Sequence, residues 1–218
     1  MAKKKTITSS DMISFYMEHI LEHNTQPKSV HSFAKANNFE EAQFYKYFGN
    51  FEALEQSIFK AFLDNTHTVL EKSNDYESFD ARNKLLSFYY TFFEILTANR
   101  SYVFYALEHG KDRLKKLQSL QKLKQGFAHY VDSLEIPLLE LKQETLEKVQ
   151  HKTLKESAWI QLLVTIKFWL EDTSPSFEKT DIFIEKSVNT SFDLIDTKPL
   201  KSIIDLGKFL YKEKIHKS

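Results

Sequence analysis

The sequence predicts an all-α protein, with an N-terminal three-helix helix-turn-helix domain followed by a C-terminal helical bundle. Two observations carry the class. Only 4 Gly and 4 Pro occur in 218 residues, too little turn punctuation for a sheet-rich fold. Along most of the chain, apolar residues recur three and four apart, the spacing of a helix with one buried face. A third observation, the run from Ser29 to Leu54, places two short helices around a tight turn near the N-terminus.

The elements follow in order. Residues 1–8 read as a disordered basic arm carrying Lys3, Lys4 and Lys5. A helix is expected from Ser9 or Ser10 to His23, with Met12, Ile13, Tyr16, Met17, Ile20 and Leu21 on its stripe. Asn24–Pro27 breaks it. Ser29 is the expected N-cap of a second helix with Val30, Phe33 and Ala34 inward. Asn37-Asn38 makes the turn, since Asn tolerates left-handed backbone. A third helix is expected from Glu40 to Tyr47, ended by Gly49-Asn50. The shared core is expected from Phe33, Ala34, Phe39, Phe44, Tyr47 and Phe48. A fourth helix should run from Phe51 to Ser73, with a polar linker at 74–78.

Further helices are expected at Phe79–Ala98, Asn99–Glu108 and Arg113–Leu134. Pro137 then interrupts or opens a helix reaching about Lys152. Helices at Lys155–Glu171 and Phe177–Ile195 flank Thr173–Ser176, and a last one opens at Pro199. The domain scheme is 1–8 arm, 9–55 helix-turn-helix domain, and 56–218 helical body.

Composition excludes several chemistries. The chain has no Cys, 30 basic and 30 acidic side chains, and a net charge of zero. Disulfides, cysteine nucleophiles and Cys-based zinc sites are therefore ruled out. No Gly-rich phosphate loop or Ser-His-Asp arrangement is readable, so no enzymatic activity, cofactor or metal is expected. His19 and His23 have a spacing that can hold a metal, but with no third ligand nearby they read as surface histidines. The basic start has no apolar run behind it, as a secretory signal would, and no stretch is long and apolar enough to span a bilayer. A cytoplasmic location without membrane association is the expectation.

The run Ser-Val-x-x-Phe-Ala-Lys-Ala-x-Asn-Phe, followed by Phe44-Tyr45-Lys46-Tyr47-Phe48, Gly49-Asn50 and Glu52-Ala53-Leu54, resembles the N-terminal domain of TetR-family transcriptional regulators. The match covers about residues 9–60. The stretch from Phe168 to Asp181 is similar to a C-terminal domain of a subset of such regulators. This chain departs from the pattern at Asn38, where the family usually has Gly, and at Glu40-Glu41, where it usually has Ser or Thr and then a basic or small residue. Two carboxylates suit a helix N-terminus and repel phosphate.

The resemblance implies a dimeric, ligand-responsive regulator, a repressor by expectation, whose second short helix enters the major groove of double-stranded DNA. The expected DNA contacts are Lys3, Lys4, Lys5, Lys28, Ser29, Gln43, Tyr45, Lys46 and Tyr47. Gln43 would read adenine, and the lysine arm a minor groove or the backbone. Residues 1–50 hold six Lys, no Arg and five acids, a net charge of +1. Arg to guanine, the commonest specific contact, is missing there, so an A/T-rich two-fold operator is expected.

The same resemblance places a cavity for a small hydrophobic effector in the C-terminal body. Its candidate walls are Phe88, Phe92, Phe104, Tyr105, Phe127 and Trp159. The homodimer interface is expected from Leu162, Ile166 and Leu170 with Ile184, Val188 and Phe192, which form stripes on successive helices. The glutamates and the arginine-free first domain keep a second reading open: a TetR-like fold that does not bind DNA and serves as a lipid-binding or protein-interaction accessory.

Overall fold

Thr8 starts the first helix, α1 (Ser9–His23), by accepting the Asp11 N–H at 3.1 Å. The Asp11 carboxylate accepts the Thr8 N–H in return at 2.8 Å. This capping box satisfies two donors that a helix start leaves orphaned. The structure is a computed structural model describing residues 7–109, 113–136 and 144–196. Lys3–Lys5 and the helix expected from Pro199 lie outside the described residues. The ten α-helices and two short 3-10 turns found there include no strand, as the composition predicted.

The chain divides into two compact units, Met1–Lys72 with Thr91–Phe127, and Ser73–Tyr90 with Ala128–Ser218. The first holds α1, α2 (Val30–Ala36), α3 (Glu41–Phe44), α4 (Phe51–Glu71), the end of α5 (Ala81–Ala98), α6 (Arg100–Glu108), α7 (Arg113–Ser119) and the start of α8 (Gln121–Ser133). Its core near the N-terminus is aromatic. The Phe33 ring meets Tyr16, Phe39, Phe44 and Phe51 edge-on, at centroid distances of 6.2, 5.6, 6.3 and 5.7 Å. Edge-to-face packing of this kind adds roughly 0.5–1.5 kcal/mol per pair beyond area burial. Of the expected core, Phe33, Ala34, Phe39, Phe44 and Phe48 are buried, whereas Tyr47 is 46% exposed.

Helix α1 packs on α4 and α6, and α4 on α7. The Tyr16 hydroxyl donates to Glu55 Oε1 of α4 at 2.5 Å. Burial first, and then the Glu55 charge, keeps that phenol protonated well above its usual range. Gly126 allows close approach of α8 to α4, because a Cβ there would lie 2.3 Å from Leu63 Cδ2.

The second unit holds the 3-10 turn Tyr76–Ser78, the start of α5, the end of α8, α9 (Glu144–Glu171), the 3-10 turn Pro175–Phe177 and α10 (Glu178–Asp196). Tyr130 stacks on Phe88 at 4.6 Å, donates to the Lys84 carbonyl at 2.9 Å and lies 3.0 Å from the Tyr76 hydroxyl. Helices α9 and α10 pack as a hairpin, with Phe168 stacked on Phe183 at 4.6 Å. Arg82 fastens α5 to the end of α10 through Asp193 at 2.7 Å and the Phe192 ring.

Two boundaries differ from the periodicity. The helix expected at 113–134 is two helices, because Leu120 turns inward into the core and the Ser119 hydroxyl competes for the Lys116 carbonyl at 2.8 Å. The two helices expected on either side of residue 153 are one, α9. No Gly or Pro interrupts 144–171, and the Thr153 hydroxyl bonds back to the Val149 carbonyl within the helix. The opening of the expected 137–152 helix, at 137–143, lies outside the described residues.

Asp172 organises the α9–α10 turn. Its carboxylate accepts four bonds of 2.7–2.9 Å, from the N–H and hydroxyl of Ser174 and of Thr180. Ser176 and Phe177, both with left-handed φ (53° and 58°), complete the turn.

Two expected outcomes follow from this packing. Phe33→Ala should cost about 3–5 kcal/mol of unfolding free energy in a urea titration. Burial opposes ionisation of Asp172, but the four hydrogen bonds outweigh it and hold its carboxyl down to about 2. A depressed carboxylate stabilises the fold above its ordinary value of 3.8 and loses that contribution as pH falls towards 2. Asp172→Asn should therefore melt lower than the natural protein at neutral pH, with the gap narrowing across that acid window.

Candidate nucleic-acid interface

Ser29 caps α2 reciprocally with Ser32. Each backbone N–H donates to the other residue's hydroxyl at 3.1 Å. The turn closes at Asn38, whose φ is 56°, and the Phe39 N–H donates back to the Ala34 carbonyl at 3.0 Å. Asn38 thus takes the left-handed geometry for which Gly is the usual choice.

The expected third helix, Glu40 to Tyr47, is helical only over Glu41–Phe44. Beyond it the winding tightens. Lys46 and Tyr47 donate to Gln43 and Phe44 carbonyls three residues back, which seats Phe48 beside Phe44 at a centroid distance of 5.6 Å. Gly49 does not take a left-handed backbone. Instead Asn50 starts α4 by accepting the Ala53 N–H at 2.8 Å.

This packing leaves an exposed rim. Lys28 and Ser29 at the start of α2, and Tyr45, Lys46 and Tyr47 after α3, all face solvent, with Tyr45 54% exposed. From residue 28 to 50 the chain carries three lysines against two glutamates.

Both glutamates have roles inside the fold. The Glu40 N–H donates to Gln43 Oε1 at 3.2 Å, so Gln43 is a capping residue as well as a surface one. A Glu-x-x-Gln spacing at a helix start is a readable sign of this. The Glu41 carboxylate sits between His31 of α2, 3.3 Å from Nδ1 to Oε2, and the Tyr45 hydroxyl, 3.4 Å from Oε1. A carboxylate only accepts, so His31 Nδ1 carries the proton. Sequence reasoning missed this clamp, because ten residues separate His31 from Glu41.

Near the α1–α2 connection a groove of about 300 Å³ is lined by His19, His23, Gln26, Pro27, Lys28 and Phe33, among others. The two histidine rings stack at 4.3 Å. Burial first, and then the neighbouring His23, lowers the pKa of His19. Among the described residues no group of three or more metal-ligating side chains comes together.

The six candidate effector-wall residues differ in burial. Phe88 and Trp159 are buried in the second unit and Phe92 and Phe127 in the first, while Tyr105 is half-buried and Phe104 is 51% exposed. The candidate dimer residues differ in burial too. Leu162, Ile166, Ile184 and Val188 are 0–3% exposed within a single chain. Their own chain covers them, whereas the α9–α10 side-chain contacts run through Gln161 and Phe168 on α9 and Phe183, Ser187 and Ser191 on α10. Leu170 and Phe192 are half-buried. The large apolar side chains left outside are Val149, Ile160 and Val164 on α9 and Ile182 and Leu194 on α10, each 49–58% exposed.

Comparison with known families finds one match: residues 84–210 fit a model described as tetracyclin repressor-like, C-terminal domain. No curated protein matches the chain.

Because Gln43 caps α3, Gln43→Ala should destabilise the fold by about 1 kcal/mol in thermal unfolding. A side chain serving only as a solvent-exposed reader would leave the melting temperature unchanged.

Proposed function

The chain belongs to the tetracyclin repressor-like (TetR) family, and we propose on that footing that it is a dimeric, ligand-responsive, DNA-binding repressor. Residues 9–55 are its reading domain and 56–218 its effector-binding and dimerisation body. The observation that carries the reading is the exposed rim of Lys28, Ser29, Tyr45, Lys46 and Tyr47 on a helix-turn-helix. Hydroxyls and ammonium groups so placed suit phosphate oxygens, which receive half or more of protein–DNA hydrogen bonds.

The dimer reading is supported by the apolar side chains that α9 and α10 leave uncovered. Ile160 and Val164 are four apart and share one helix face. A two-fold dimer carries two copies of α3, and a DNA-competent state holds them about 34–36 Å apart, one turn of duplex. The aromatic content of the body suits a small hydrophobic effector. An effector that favours a different protomer arrangement weakens operator binding, and by linkage the operator weakens effector binding equally.

The second reading, a TetR-like accessory that binds a lipid or a protein instead of DNA, rests on Glu40 and Glu41. The His31 and Tyr45 bonds to Glu41 count against it, since they give one of the two carboxylates hydrogen-bond donors on the protein surface.

No helix among the described residues is long and apolar enough to cross a membrane.

Binding to the duplex upstream of the protein's own gene, measured by fluorescence anisotropy across a salt series, tests the reading. Log K should fall linearly with log salt. A folded dimer that binds no DNA at low salt would overturn the proposal. Lys46→Ala should weaken binding and reduce the salt slope by about 1. Glu40→Lys should tighten it.

A further inference from the structure

We propose that Glu41 is a specificity-determining residue and that it reads a cytosine in each half-site, an inference that rests on the DNA-binding reading above. The observation behind it is the clamp. His31 Nδ1 and the Tyr45 hydroxyl approach different oxygens of the carboxylate, at 3.3 and 3.4 Å. They come from different places, one from α2 and one from the turn after α3. The Glu41 side chain is 41% and His31 75% exposed, and Tyr45 is 54% exposed, so surface contacts orient the carboxylate and leave it open to an approaching base edge.

An ionised carboxylate offers about four lone-pair sites and no donor. Two are taken by the clamp, and those remaining face outward as a pure acceptor. Its partner in a major groove must be a donor. Guanine presents N7 and O6 and thymine O4, all acceptors, and these repel it. Adenine presents a donor at N6 beside an acceptor at N7, so half of its edge repels a carboxylate. Cytosine presents the N4 amine with no acceptor alongside on its own major-groove edge. The clamp also offsets part of the cost of bringing a negative side chain towards phosphates, because hydrogen bonds already satisfy much of the charge before DNA arrives.

Gln43 and Ala42 fit this assignment. The carbonyl of Gln43 is engaged with the Glu40 N–H, which competes with the paired contact that Gln makes to adenine. Ala42 is exposed between them and carries no polar group. Among the first three residues of α3, Glu41 is therefore the polar group held ready to discriminate. The half-site contains a C·G pair at this position, within the A/T-rich surroundings expected from the lack of arginine.

The test is selection of bound duplexes from a randomised pool at fixed salt by the full-length protein and two variants. The natural protein is expected to enrich a two-fold motif with cytosine at one position of each half. Glu41→Gln, which supplies donor and acceptor together, should shift that position to adenine. Glu41→Ala should lose the preference there, about tenfold between cytosine and the other bases, while keeping the rest of the motif. Circular-dichroism melting confirms that each variant folds, and Glu41→Gln preserves shape if Glu41→Ala does not fold. A motif that is enriched but unchanged in the variants overturns the role of Glu41 alone. Failure of the natural protein to enrich any sequence overturns the DNA-binding reading together with this one.

Discussion

A helix of four residues cannot hold itself together in water, because fixing its first turn costs more backbone freedom than one or two hydrogen bonds return. Helix α3 of this protein is of that length. Its shape comes from one buried ring, Phe44, wedged between Phe33 and Phe51. Phe33 in turn touches Tyr16 of α1 and Phe39 of the turn. Four helices and a loop thus meet at two rings. Everything on the outer rim, from Lys28 to Tyr47, takes its position from that cluster.

The acidic start of α3 looks unsuited to a polyanion when read as charge alone. Within the fold each acid residue has a structural task. The Glu40 backbone begins the helix with the help of Gln43, and the Glu41 carboxylate ties α2 to the turn that follows α3. Charge count and charge presentation are different quantities. A carboxylate that already accepts two bonds costs less to bring near phosphate than one that must shed water, and it can still discriminate between base edges.

The second unit follows a similar logic on a larger scale. Its α9–α10 hairpin buries one stripe from each helix and is turned by Asp172, whose four hydrogen bonds hold the corner. Apolar residues also remain on the outside of both helices.

The sequence by itself determined the class, since scarce Gly and Pro and helical apolar spacing depend only on local geometry. It also determined the cap at Ser29, the turn at Asn38 and the core residues Phe33, Phe39 and Phe44, where residue type and position agree. Tertiary structure decided what periodicity leaves ambiguous. An apolar stripe on α9 or α10 marks a buried face without saying whether the covering surface belongs to the same chain, and here Leu162 and Val188 pack inside the protomer. Tyr47 obeys the pattern yet turns outward, because i to i+3 bonding after Phe44 rotates it off the buried face. The Glu41 clamp joins residues ten apart through a turn, and such a contact is set by how two helices cross, which no local spacing encodes.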